Sequence, residues 1–164
     1  MQMLERLSNL ELVAYAALCL HQFCRAKRIE HPCIDELLEH LLTMLISDTL
    51  DGWERKLAGL DLSGDGDPIP AELEALIPGD TLDDFCRLVD CVVEVGVGDL
   101  YAASSKGPLN DLLRCLEILD ATGVERPDIP EIFKTKTRTS AAPYTGETYS
   151  QQEYEQVRML FDLT

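Results

Sequence analysis

Asp61–Asp99 reads DLSGDGDPIPAELEALIPGDTLDDFCRLVDCVVEVGVGD. Its second half decides the fold class. Leu82, Phe85, Leu88, Val89, Val92 and Val93 recur at three- and four-residue spacing, the period of one helix face. Asp83, Asp84, Asp90 and Glu94 fall largely off that stripe. Thr81, with Asp84 three residues on, predicts a capping box at the start. Val95 and Val97 lie off the stripe and are apolar, so the helix is expected to be enclosed on most sides. Gly96 and Gly98 are poor helix formers and call for close packing or a kink. The first half is a Gly/Asp loop. Pro70 then opens a short helix, Ala71 to Ile77, which Pro78-Gly79 closes.

Toward the N-terminus the same period repeats. Ser8 and Glu11 form a capping box, and Leu10, Val13, Ala14, Ala17, Leu18 and Leu20 follow at helical spacing. Leu4 and Leu7 suggest a short lead-in helix. The main helix is expected to end near Arg28, before His31-Pro32, with Arg25, Lys27 and Arg28 at its C-terminal end as the helix dipole favours. A second helix is expected over Ile34–Ile46, with Leu37, Leu38, Leu41, Leu42 and Leu45 on one broad face. Asp48 or Thr49 caps a third, in which Leu50, Trp53 and Leu57 share a face. Trp53, the single Trp, reads as a core anchor.

On the other side, Ser104–Gly107 reads as a turn and Pro108 as the first position of a helix stopped by Gly123. Residues 124–149 are rich in Pro and Thr and form an irregular connection. Within it IFKTKTRT brings Lys134, Lys136 and Arg138 together, as a short extended piece or a loop lying along the acidic body. Ser150 and Glu153 cap a final helix over 150–164, docked through Tyr154, Val157 and Phe161. The expected architecture is all-α: one helical domain over 1–164, a bundle of five or more helices. Its core is expected to contain Leu18, Leu41, Trp53, Leu88, Val92 and Leu116.

Charge and cysteine usage narrow the function. The chain of 164 residues carries a net charge of −16. Eleven acids in Asp61–Asp99 against one base, Arg87, supply ten of those excess charges. Such a balance disfavours nucleic acid and anionic membrane as partners and favours a basic protein or a cation. The longest apolar run, Leu12–Leu20, is far too short to span a bilayer. MQMLERLSNLE has no small-residue cleavage site ahead of an apolar run. Six cysteines without a CxxC, all but Cys33 inside apolar helical patterns, read as reduced packing residues. A cytoplasmic location is therefore expected.

Three constellations could carry chemistry. Asp61–Glu72, DLSGDGDPIPAE, resembles the calcium loop of an EF-hand. That resemblance implies ligands from Asp61, Ser63, Asp65, the Asp67 carbonyl and Glu72, with Gly66 at the sharp turn. Pro68 stands where that family places an apolar β-forming residue, and the sequence has no second loop, so no strong calcium site is expected. Cys19, His21, Cys24, His31, Cys33 and His40 have zinc-ligand chemistry. Cys19 and Cys24, five apart on a helix, diverge by about 140°, so buried thiols and surface histidines are expected instead. Glu11, Glu36, Glu39, Asp90 and Glu94 are candidate catalytic carboxylates, Asp90 and Glu94 being four apart on one face. No nucleophile elbow, catalytic triad or phosphate loop accompanies them.

An acidic, all-helical chain without catalytic motifs resembles bacterial toxin-immunity proteins in overall character. LERLSNLELVAYAALCL and IPGDTLDDFCRLVD are also similar to a helical bacterial family, a likeness that implies no function. The first resemblance implies a protein that is not an enzyme, that needs no cofactor, and that binds and neutralises a basic toxin such as a nuclease. Asp80, Asp83, Asp84, Asp90 and Glu94 would form the partner face. A calcium-binding helical protein and a helical enzyme using Asp/Glu are the alternatives.

Overall fold

A single turn, α1 (Gln2–Glu5), leads into α2 (Asn9–Lys27), the helix on which the others are laid. Ser8 caps α2 as its sequence demands. Its hydroxyl accepts the Glu11 N–H at 3.2 Å, and Glu11 Oε1 accepts the Ser8 N–H at 2.9 Å. Arg28 ends the helix in a left-handed conformation (φ 60°), its N–H returning to the last carbonyls. Every residue from Asn9 to Leu20 is buried. The small side chains of Ala14, Ala16, Ala17 and Cys19 let neighbouring helices approach on all sides.

The computed structural model describes residues 2–47, 50–97, 106–135 and 148–163. All regular structure among them is helical. After α2 come α3 (Pro32–Leu42), a 3₁₀ turn over Thr43–Ile46, and α4 (Leu50–Ala58). Next are α5 (Ala71–Leu76), α6 (Gly79–Val97) and α7 (Lys106–Ala121). α8 (Glu131–Thr135) and α9 (Gln151–Met159) complete the order. The most extensive packing is α6 on α7, and both lie against α2. α3 and the 3₁₀ turn close a further side of α2, and α9 rests on both of them. Leu18, Leu41, Trp53, Leu88, Val92 and Leu116 all belong to the one core.

Several expected boundaries move, each for a local reason. α3 starts at Pro32, because His31 serves as its cap: Nδ1 accepts the Cys33 N–H at 3.1 Å. Its tail tightens into the 3₁₀ turn after Leu42. α6 starts at Gly79, two residues before the expected Thr81–Asp84 box. The Pro78 carbonyl takes the N–H groups of Thr81 (2.9 Å) and Leu82 (3.0 Å), and the Thr81 hydroxyl turns to Asp80 at 3.4 Å. α7 starts at Lys106, so Pro108 is third rather than first, still within the turn whose N–H groups lack helical partners. Gly123, at φ 74°, follows the end of α7 as expected. The caps at Asp48 and Thr49, and Gly98, Lys136, Arg138 and Pro143, lie outside the described residues.

The irregular connection contains a helix that the Pro/Thr composition hides. Ile132-Phe133-Lys134-Thr135 is helical, opening from Pro130, whose carbonyl accepts the Phe133 N–H at 3.0 Å. Phe133 is buried edge-on against Tyr149, ring centroids 6.2 Å apart. Upstream, the Tyr15 hydroxyl donates to the Pro127 carbonyl at 2.6 Å, and Lys27 Nζ donates to the Thr122 carbonyl at 3.0 Å. These bonds tie residues 122–127 to α2. The final helix carries the expected Ser150–Glu153 box and buries Tyr154 and Val157, and Phe161, just beyond its end, is buried too. It ends at Met159. Arg158 joins it to Glu39 of α3 at 2.7 Å, which holds the guanidinium pKa above its usual value.

Candidate functional site

The Gly/Asp loop is folded down onto α6. Leu62 is buried and pins it. Gly64 (φ 71°), Asp65 (φ 54°) and Gly66 (φ 79°) are consecutively left-handed, a run that Gly and Asp tolerate best. At Gly64 the requirement is also steric: an added Cβ would stand 2.8 Å from Val93 Cγ2 and 3.4 Å from the Val89 carbonyl. The Asp67 N–H closes the turn on the Gly64 carbonyl at 2.9 Å, and Ser63 Oγ donates to Asp67 Oδ2 at 2.8 Å. Gly66 N–H donates to Asp90 Oδ1 at 3.1 Å, fastening the loop to α6.

This docking gathers acids from four elements. Two adjoining hollows of about 310 and 280 Å³ flank the seam, and Gly66 and Asp90 line both. The first also receives Asp67, Glu74 of α5 and Asp83. The second receives Asp65, Glu94 and, from α7, Asp111, together with Cys91 and Arg114. Cations are few here. Arg87 pairs with Asp84 at 3.5 Å and Arg114 with Asp111 at 3.3 Å, both contacts one helical turn apart. Such surface pairs contribute little stability, on the order of a few tenths of a kcal/mol.

Of the expected partner-face residues, Asp80 and Asp83 are exposed, while Asp84, Asp90 and Glu94 are half-buried. Asp83, Asp90 and Glu94 share a stripe on α6, and Asp84 turns aside toward Arg87. Asp90 has a structural duty as well, holding the Gly66 N–H. Lys134, of the segment read as an extended piece or a loop along the acidic body, is helical and paired with Glu131 at 3.0 Å. It lines a groove with Tyr15 and Arg126, away from the acids of the seam.

The EF-hand-like residues are not drawn around one point. Ser63 and Asp67 bond to each other, and the Glu72 side chain, 89% exposed, lies 3.7 Å from His31. Among the described residues no group of three or more His, Cys, Asp or Glu is placed to hold a metal ion. This covers the six Cys/His positions considered for zinc.

The histidines depart from their expected surface role. His40 is 5% exposed and clamped to Trp53. Their rings stack at 4.9 Å, His40 Nε2–H donates to the Trp53 carbonyl at 2.8 Å, and the Trp53 indole N–H donates to the His40 carbonyl at 3.0 Å. Gly96 explains itself in this contact, because a Cβ there would stand 2.7 Å from the Trp53 ring. His21 packs on Phe161 at 5.3 Å. Burial holds both imidazoles below their ordinary pKa. His31 lies 3.0 Å from Cys33 Sγ, yet burial and then Glu36 and Asp61 push that thiol up to about 11, so it is no nucleophile. Cys33 is buried within α3, like Cys19, Cys24 and Cys115, while Cys86 and Cys91 are half-buried.

The carboxylates considered for catalysis are largely committed. Glu11, 3% exposed, caps α2 and accepts the Tyr149 hydroxyl at 2.6 Å. Glu39 holds Arg158, and Asp90 holds Gly66. Sequence spacing missed the Glu11–Tyr149 bond because 138 residues separate the partners.

No family model matches the sequence, and neither a curated protein nor a solved structure matches the chain. Among the described residues no helix is long and apolar enough to cross a membrane.

Proposed function

We propose that the chain is a binding module for a basic protein, with the neutralisation of a cognate toxin as its role. One observation carries the reading. The Gly/Asp loop, α5, α6 and α7 bring Asp65, Asp67, Glu74, Asp83, Asp90, Glu94 and Asp111 to adjoining hollows on one face. Like charges assembled in this way cost the free protein stability through self-repulsion. A partner presenting Lys and Arg offsets that cost and is drawn in faster at low salt. A nuclease would meet the face with the surface that otherwise receives phosphates. Recognition would then rest on the α6 stripe, with Asp80 and Asp83 at its exposed start, while Asp90 keeps the loop in place beneath.

The test begins by capturing a basic protein from the source cell with the immobilised chain. Its activity is then assayed with and without the chain present. Reversal at Asp80, Asp83 and Asp84 to Lys should slow association at least tenfold at low salt and flatten its salt dependence. Asp90 is spared so that the loop stays anchored. Equal association rates with unchanged salt dependence would remove the electrostatic mechanism. A chain with no stable basic partner, or one whose partner keeps full activity in the complex, would remove the proposal.

A further inference from the structure

The clamp between His40 and Trp53 fastens α4 to the bundle. Among the described residues α4 shares no broad interface with another helix, and Trp53 and Leu57 are its buried side chains. Trp53 is seated from two sides. Its ring stacks on the His40 imidazole at 4.9 Å and lies against Gly96 of α6. Two reciprocal hydrogen bonds, each from a ring N–H to the other residue's carbonyl, join it to His40. The Trp53 carbonyl accepts, so His40 Nε2 carries the hydrogen and Nδ1 is the basic nitrogen. Nδ1 is buried and has no hydrogen-bond partner. A proton taken up there creates a charge and a second buried N–H, with no acceptor in place for it.

We propose that this contact is a proton-operated latch: protonation of His40 at Nδ1 undocks α4 while the α2–α6–α7 body stays packed. The neutral ring stacks on Trp53 and donates to its carbonyl with nothing left wanting a donor's partner. The imidazolium must bring its Nδ1–H to water, and it reaches water when α3 and α4 part. α4 is the side that moves, because α3 is held by α2, the 3₁₀ turn and α9. Undocking uncovers Trp53, Leu57 and the last turn of α6 around Gly96. That is a local opening, which exposes an apolar strip without unfolding the bundle.

The surroundings set the direction. Burial lowers the His40 pKa in the docked state; the Trp53 carbonyl works against this, and Lys56 of α4 adds to the lowering. Glu54 flanks Trp53 on α4, and Glu36 and Glu39 share α3 with His40, Glu39 being held by Arg158 of α9. On α2, Glu11 is committed to Ser8 and Tyr149, and the 3₁₀ turn carries no charge. Glu94 stands two residues before Gly96 on α6. None of these carboxylates is a partner of Nδ1. Once undocked, the ring returns to its ordinary value of about 6.5. Docking is therefore at full strength above that value and weakens as pH falls below it. Each further pH unit favours the undocked form by up to about tenfold.

The experiment follows hydrogen exchange of the full-length chain by mass spectrometry at pH 7.5 and pH 5.5, corrected for the intrinsic exchange rate. Opening of α4 should rise by up to about tenfold at the lower pH, while α2 and α7 keep their protection. Acrylamide quenching of the single Trp should increase over the same range, and the His40 imidazole resonance should titrate with it. His40→Gln keeps a donor for the Trp53 carbonyl and takes up no proton, so its α4 should open equally at both pH values. His21→Gln should respond like the unsubstituted chain. The exchange and the His40 resonance of the unsubstituted chain decide the matter even if the His40 variant fails to fold. An α4 equally protected at both pH values, one that opens only together with α2 and α7, or an unchanged pH response in His40→Gln would each overturn the latch.

Discussion

α2 and α6 are both nineteen residues long, and they do opposite work. α2 is apolar around its circumference and buries every residue from Asn9 to Leu20. α6 is apolar on one face, buries Phe85, Leu88, Val89, Val92, Val93, Val95 and Gly96, and presents acids on the rest. A helix with one apolar face becomes a wall of a bundle, and one without a polar face becomes its post. The residue that looks most out of place makes the same point. Glu11 sits in the all-apolar helix and is satisfied from within, by the Ser8 N–H and the Tyr149 hydroxyl. The acids of α6 are shared among a loop, a few surface arginines and solvent.

Charge placement is the harshest test of that contrast. Ala17→Glu puts a carboxylate where there is no exposure and should cost several kcal/mol or prevent folding. Asp83→Lys, on the outer face of α6, should change stability by less than about 0.5 kcal/mol. Urea denaturation followed by circular dichroism gives both numbers, and equal effects would dissolve the distinction between post and wall.

The buried exception in α2 comes next. Tyr149→Phe leaves Glu11 Oε2 without the hydroxyl while keeping the ring against Phe133. A hydrogen bond to a charged group contributes about 1.5–3 kcal/mol, so a loss in that range is expected from the same urea curves. A neutral result would mean that solvent replaces the hydroxyl at Glu11.

Gly96→Ala sharpens the picture of the packed face of α6. Helix propensity alone favours Ala by about 1 kcal/mol. The new methyl would stand 2.7 Å from Trp53, whose ring is held by His40, and overpacking of this kind costs about 1–3 kcal/mol. The clash should win by a small margin and shift the emission of the single Trp. A stabilised variant with unchanged fluorescence would show that Trp53 yields freely.

The smallest effect is on pH dependence. Burial lowers the pKa of His40 and of His21, so the folded chain binds a proton at each less tightly than the unfolded chain does. The stability from their neutral forms is complete above the unfolded value of about 6.5 and declines as pH falls below it. The urea midpoint should therefore drop between pH 8 and pH 5.5, and less so in a His21→Gln/His40→Gln chain. A midpoint that rises over this window would mean that relief of acidic repulsion dominates.

Much of this was readable along the chain. The boxes at Ser8 and Ser150, the stop at Gly123 and the leucine face of α3 rest on contacts within a turn or two of sequence. The pattern in Asp61–Asp99 likewise foretold the buried stripe of α6. What misled was local ambiguity: Asp-Gly repeats serve a metal loop and a left-handed turn equally well, and only the approach of Val93 to Gly64 distinguishes them here. IFKT, set among Thr and Pro, hid a helix whose stability comes from Phe133 meeting Tyr149.

By itself, then, the sequence determined that the chain is helical, where most helices begin and end, and which faces are apolar, because propensity, capping and periodicity act over a few residues. Tertiary structure decided that α2 rather than α6 is the post, since burial on every side depends on what the other helices leave uncovered. It also decided that Glu11 meets Tyr149, that Gly96 receives Trp53, and that Asp90 fastens the Gly/Asp loop. Each of these is a contact between residues far apart in the chain, and no local pattern encodes which distant partner will arrive.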